Sequence, residues 1–272
     1  MRTLLSLLFA GILTLGVVPQ GIAAQTGEAS PDMQRIMNRG KITVALINTD
    51  RYPFFFTAKK GGHLTGFDID LAHDIASQLG VKVEFNRKAK TFDEVIDIVA
   101  KKEADLGISN LTTTLKRAKQ VHFTKPYLMI KNYLLVNRKS LGRYRGLSVG
   151  EMANRRGISI LAEEGSSYVD FASRLFPLAK IIFYKDRERA IHAVLKNEVF
   201  ALYESEDYAT TLFKNTPELY LYLDYLAINS VKDPIAIAVH WENLHLLSWL
   251  DLYLKTERPN ATLDDIFKKY PQ

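Results

Sequence analysis

Hydrophobic periodicity switches repeatedly between two and about 3.6 residues along this chain, and that alternation constrains its fold more than any other feature. Ile42, Val44 and Leu46 share one face of an extended run at 41–46. The spacing then predicts a helix over 66–79, with Leu71, Ile75 and Leu79 on one stripe and Gly80 as its stop. Val81, Val83 and Phe85 read as the next strand. Thr91-Phe92-Asp93-Glu94 has capping-box spacing and opens a helix through Val95, Ile98 and Val99, which leads into the apolar run around Leu106 and Ile108. Strands separated by helices imply a parallel sheet, so the fold class is α/β.

The alternation restarts after Leu134, Leu135 and Val136, with strands near 158–161, 181–184 and 199–203 and helices near 168–175 and 187–195. Beyond this second α/β unit come a helical stripe through Leu244, Leu247, Leu250 and Leu254 and a short helix from Thr262, with no strands of their own. Such helices need an earlier sheet to pack on. The expected architecture is therefore two-lobed: residues 33–130 and 235–272 form lobe one, and residues 134–230 form an inserted lobe two. Two crossings, near 129–133 and 231–235, make a two-strand hinge, with a cleft between the lobes.

The first 24 residues read as a cleavable export signal. Arg2 precedes an apolar stretch at 4–18, too short for the roughly 20 residues that span a bilayer, and Gly21, Ala23 and Ala24 supply the small residues of a cleavage site. The chain has no Cys, which excludes disulfides, thiolate metal sites and attachment of lipid through a cysteine. A freely diffusing, periplasmic, monomeric protein is expected. Lys and Arg number 36 against 30 Asp and Glu, but they lie in scattered pairs such as Lys101-Lys102 and Arg155-Arg156, not in the stripe that binds nucleic acid. The six His show no metal spacing, and the sequence has no Gly-x-Ser-x-Gly, His-Glu-x-x-His or P-loop, so no metal or cofactor is expected.

Four stretches at strand ends carry polar or aromatic chemistry, and in an α/β sheet ligands sit at the carboxyl ends of strands. Tyr52-Pro53-Phe54-Phe55-Phe56 is an aromatic loop after the first strand. Ser109 to Thr114, followed by Arg117, offers hydroxyls, helix-start amides and a planar guanidinium to an anion. Gly165-Ser166-Ser167-Tyr168 repeats that pattern in the second unit, and Glu204-Ser205-Glu206-Asp207 places carboxylates at a strand end.

In order and spacing these stretches resemble the polar amino-acid-binding proteins of ABC importers, the extracellular solute-binding family 3. The marks run from about Met33 to Tyr270: Arg39-Gly40-Lys41, Tyr52-Pro53 with Phe55, Leu64 to Leu71, Ala104-Asp105 followed by Ser109 to Thr114, then Arg117, Phe123 and Pro126-Tyr127. The resemblance implies a binding protein, not an enzyme, that closes on an amino acid and delivers it to a membrane permease. By that likeness Arg117 clamps the α-carboxylate with Thr112, and Ser109 or Asn110 takes part of the α-ammonium. Tyr52 and Phe92 sandwich the ligand, and Ser166 and Ser167 close from lobe two. Where the family carries an ammonium-binding Asp, this chain has Ser205. Glu204 is assigned that role, with Ser205 and Glu206 as the alternatives. The competing reading is an enzyme like cyclohexadienyl dehydratase on the same scaffold, with Glu204 or Glu206 as general acid.

Overall fold

The computed structural model describes residues 29–58, 62–231, 233–258 and 261–271, and the export signal read at residues 1–24 lies outside them. Helix α1 (Pro31–Arg39) and strand β1 (Lys41–Ile47) open the first lobe. The paired short strands β2 (Phe56–Thr57) and β3 (Leu64–Thr65) lead to α2 (Phe67–Gln78), β4 (Lys82–Ala89), α3 (Phe92–Ala100) and β5 (Leu106–Gly107). Strands β6 (Val121–Phe123) and β7 (Leu128–Ile130) then carry the chain out. The second lobe contains β8 (Asn132–Asn137), α4 (Arg138–Leu141), α5 (Val149–Ala153), β9 (Ser159–Glu163), α6 (Ser167–Leu175) and β10 (Lys180–Tyr184). It continues through α7 (Arg187–Leu195), β11 (Ala201–Ser205), α8 (Glu206–Asn215) and β12 (Leu223–Ala227). The return runs through β13 (Asp233–Ile235), β14 (Ala238–His240), α9 (Leu244–Glu257) and α10 (Leu263–Lys269).

Two five-stranded sheets result, in the orders β4-β1-β5-β14-β6 and β10-β9-β11-β8-β12. In each, three strands are joined in parallel, as the helical crossovers require, a fourth (β6 or β12) runs the same way at one edge, and one strand, β14 or β8, runs against them. The sequence pattern predicts parallel sheets only. The reversed strands, β8 and β14, are those that follow the two crossings between lobes, where no βαβ unit sets the direction. At the crossing itself β7 pairs antiparallel with β13, with Ile130 opposite Asp233 and Leu128 opposite Ile235.

Side chains alternate across the second sheet and bury both of its faces. Leu134, Val136, Ile160 and Ala162 pack with Phe171 of α6 on one face, while Leu135, Leu161 and Leu202 pack with Val194 of α7 and Phe213 of α8 on the other. The first core joins β1, α2 and α3 to the returning α9. There the predicted leucine stripe is corrected: the buried face is Leu246, Leu250, Tyr253 and Leu254, whereas Leu244 is 58% exposed. Nearly every side of this helix is apolar, so leucine spacing alone selects a neighbouring stripe. Tyr253 enters the core because its hydroxyl donates to Asp74 Oδ2 at 2.6 Å.

One glycine fixes the loop after β1. Gly66, at φ +125° just before α2, lies where a Cβ would stand 2.4 Å from the Phe54 carbonyl oxygen. Phe54 and Phe55 are fully buried beneath that contact, so these two rings belong to the core, and the cleft is left to their neighbours Asp50, Arg51 and Tyr52. Among the described residues no helix is long and apolar enough to cross a membrane.

Candidate functional site

The carboxyl ends of the parallel strands of the two sheets face one another, and the loops that leave them meet across a cavity of about 170 Å³. From the first lobe, the turn after β1 contributes Asp50, Arg51 and Tyr52, the start of α3 contributes Phe92, and the turn after β5 contributes Asn110. From the second, β9 ends on Glu163, α7 starts with Arg187, and α8 brings Asp207 and Thr211. Local capping sets several of these: Thr91 accepts from Glu94 N at the start of α3, and Asp186 accepts from Arg189 N at the start of α7. Asn110 sits at φ +48°, held by its N–H donating to Asp68 Oδ2 at 2.6 Å. The lobes are in contact around the cavity. Ser167 donates to Thr112 Oγ1 at 2.9 Å, Asp93 N to Gly165 O at 3.1 Å, and Arg51 pairs with Glu163.

Four residues that line the cavity each carry a buried polar atom with no hydrogen-bond partner among the described residues: Arg51 Nε, Asn110 Oδ1, Asp207 Oδ1 and Thr211 Oγ1. Buried polar atoms are ordinarily paired, so these four stand out, as do those of Asn132, Tyr203 and Asp233 away from this cavity. A larger cavity of about 530 Å³ beside Tyr220 and Tyr225 has none of these atoms on its wall. Charge at the site is shared through one carboxylate, since Glu163 bridges Arg51 and also accepts from Arg187 Nη2 at 3.1 Å. Behind the wall, Arg187 Nε donates to Glu204 Oε1 at 2.9 Å and the Tyr184 hydroxyl donates to the same oxygen at 2.6 Å. Burial holds the Glu204 and Asp207 carboxyls above the usual carboxylate range, against the attraction of Arg187. Among the described residues no three acidic or histidine side chains are placed to hold a metal ion.

Residues 42–272 match the family described as bacterial extracellular solute-binding proteins, family 3. The chain belongs to that family. ABC transporter arginine-binding protein 1 of Escherichia coli (strain K12) is 25% identical over 228 residues, which cover 81% of this chain and 88% of that one. A putative binding component of an ABC transporter from Wolinella succinogenes, solved complexed with lysine, is 25% identical with a TM-score of 0.72, covering 85% of this chain and 95% of that one. A cyclohexadienyl dehydratase from Pseudomonas aeruginosa is 25% identical over 154 residues, 57% of this chain and 55% of that one, so an enzyme also stands among the relatives. The two-lobed fold is that of a solute-binding protein.

In this solute-binding protein the residues singled out in the sequence are unevenly placed. Phe92 and Asn110 line the cavity. Tyr52 also touches it, but its ring packs on Phe56 and Phe267 and its hydroxyl donates to the Tyr270 carbonyl, so the group over the Phe92 ring is Arg51. Ser109 Oγ accepts from Ile47 N at 3.2 Å, inside the lobe. Thr112 and Ser167 form the hydroxyl pair at the seam between lobes, while Ser166 caps α6 by accepting from Tyr168 N. Arg117, 3% exposed, is off the cavity wall: Nε donates to Asp93 at 2.9 Å, Nη1 to Thr112 O at 3.0 Å, and Nη2 reaches Gly165 O of the other lobe at 3.4 Å. Glu204 is also off the wall. Strand β11 continues through Ser205, and its alternation turns Glu204 to the side of Leu202 and α7, leaving Ser205 and Asp207 at the cavity. Glu206 points to the hinge and pairs with Lys131 at 3.4 Å. Arg51, Glu163, Arg187, Asp207 and Thr211 are not singled out as ligand contacts from sequence. Continuing the β11 alternation by two residues would have separated Glu204 from Asp207.

Proposed function

We propose that this protein captures one free amino acid between its lobes in the periplasm and presents the closed form to the permease of an ABC importer. The observation that carries this reading is the pair of unpartnered buried oxygens, Asn110 Oδ1 and Asp207 Oδ1, on two residues that line one cavity from opposite lobes. Two acceptors, one of them charged, are the complement of an α-ammonium. The α-carboxylate is assigned to the seam beside the cavity, where it would take the place of the Thr112–Ser167 hydroxyl bond next to the Arg117 guanidinium. A zwitterion buried with both ends paired avoids the cost of a lone buried charge.

A melting screen against the common amino acids tests the reading. A ligand at about 100 times its Kd adds about 2.7 kcal/mol, or about 5–10 °C for a chain of this size. A screen in which no amino acid shifts the transition would remove the proposal. The dehydratase relative and the raised Asp207 carboxyl favour one second reading, a general acid acting on prephenate, and product formation from prephenate would establish it.

Closure also has a local requirement. Gly165 lies at φ +70°, and a Cβ added there would stand 2.6 Å from Thr91 Cβ of the other lobe. Gly165→Ala is therefore expected to hinder the closed form specifically and to weaken ligand binding about tenfold by calorimetry, a difference of about 1.4 kcal/mol. Parent-like affinity would show that these segments stay apart in the bound state.

A further inference from the structure

The aromatic face at the cavity carries a cation that belongs to the chain. The Arg51 guanidinium carbon stands 5.5 Å from the Phe92 ring centroid, and the same guanidinium pairs with Glu163 of the opposite lobe. An aromatic face with a carboxylate beside it is what a guanidinium or ammonium on a ligand would need. Here both are engaged by Arg51. A second fixed guanidinium, Arg187, shares Glu163 through its other oxygen. A cationic ligand side chain entering this end of the cavity would meet two like charges and a carboxylate already paired with both.

The unpartnered atoms complete the pattern. Asn110 Oδ1 and Asp207 Oδ1 accept, whereas Arg51 Nε donates and the Thr211 hydroxyl is able to donate. With the two acceptors assigned to the α-ammonium, the two donors remain for the side chain. Resting on the amino-acid reading above, we propose that Arg51 sets the substrate class: an amino acid whose side chain ends in an oxygen acceptor, a carboxylate or carboxamide, and not in a cation. This chain would then differ from the relatives whose names or complexes specify arginine or lysine.

The test is calorimetry of the parent, Arg51→Ala and Arg51→Met with glutamate, glutamine, aspartate, asparagine, arginine, lysine and methylguanidinium. The parent is expected to bind the best of the four acceptor amino acids at least about tenfold more tightly than arginine or lysine. Arg51→Ala frees the Phe92 face and the Glu163 oxygen together, so it should gain arginine by at least about tenfold and take up methylguanidinium. Arg51→Met, which removes the charge but keeps the slot filled, should gain neither. Arginine or lysine binding the parent as tightly as the best acceptor amino acid would overturn the role of Arg51, and so would an Arg51→Ala protein that gains neither arginine nor methylguanidinium. A parent that binds no amino acid would instead overturn the function proposed above, a separate result.

Discussion

Asp207→Ala is expected to lower affinity for the captured amino acid by about thirtyfold to several thousandfold. Its carboxylate is 6% exposed, lines the cavity and keeps one oxygen without a partner among the described residues. With that partner gone, the ligand's buried ammonium keeps only the neutral Asn110 acceptor and no counter-charge, at about 2–5 kcal/mol, and each 1.4 kcal/mol is about one decade. The ligand-free protein should lose no stability, because burial already holds this carboxyl above its usual range and its removal relieves that desolvation. Glu206→Ala is the matched control, since Glu206 pairs with Lys131 outside the cavity, and affinity there should stay within about threefold. A folded Asp207→Ala protein that binds like the parent would move the ammonium site elsewhere.

Arg187→Ala should act on stability instead, lowering the ligand-free transition by about 6–20 °C near neutral pH. It leaves Glu204, which is fully buried, with only the Tyr184 hydroxyl beside the backbone, and stripping one partner from a buried ion pair costs about 3–5 kcal/mol. The sign with pH follows from the direction of the shift. Burial already raises Glu204 in the folded protein, and losing Arg187 raises it further above the unfolded value. A carboxyl raised in the folded state costs nothing below its unfolded pKa of about 4.3, costs progressively more as pH climbs from there toward the folded value, and levels off above it. The defect should therefore grow as pH rises above neutral and shrink as pH falls toward the unfolded value of about 4.3. Pairing Arg187→Ala with Glu204→Met, which removes both charges, should recover most of the loss. A destabilisation that ignores pH would show that Glu204 is not the group left behind.

The sequence exposes the scaffold because burial imposes a period on every element. The strands at β1, β9 and β10 and the helices α2, α6 and α7 are legible from which residues are apolar and how they are spaced. That rule weakens where an element is apolar on most sides, and α9 is the case, with Leu246 and Tyr253 buried in place of Leu244. The site is harder to read because a shift of one residue changes which side chain faces the cavity. Arg51 and Tyr52 are neighbours, yet one lies over Phe92 and the other packs on Phe56 and Phe267. Glu204 and Asp207 belong to one acidic run, yet a strand end and a helix start send them to opposite sides of β11. Family likeness points to a neighbourhood, and the pairing of charges across the cavity decides which side chains there are left without a partner among the described residues.

The order of strands in the first sheet also governs when that half of the molecule can be completed. Strand β14 lies between β5 and β6, so β6 has no neighbour in its sheet until the segment beyond Ile237 has been made. The other sheet is built from one continuous stretch, 132–227, and needs nothing from the end of the chain. Bringing β14 back past an already formed lobe replaces a long flexible loop with a short tether, because the crossing at β7 and β13 holds its two ends together. The inserted lobe can therefore act as a template for closing the outer one, and the part of the protein that starts first is the part that finishes last.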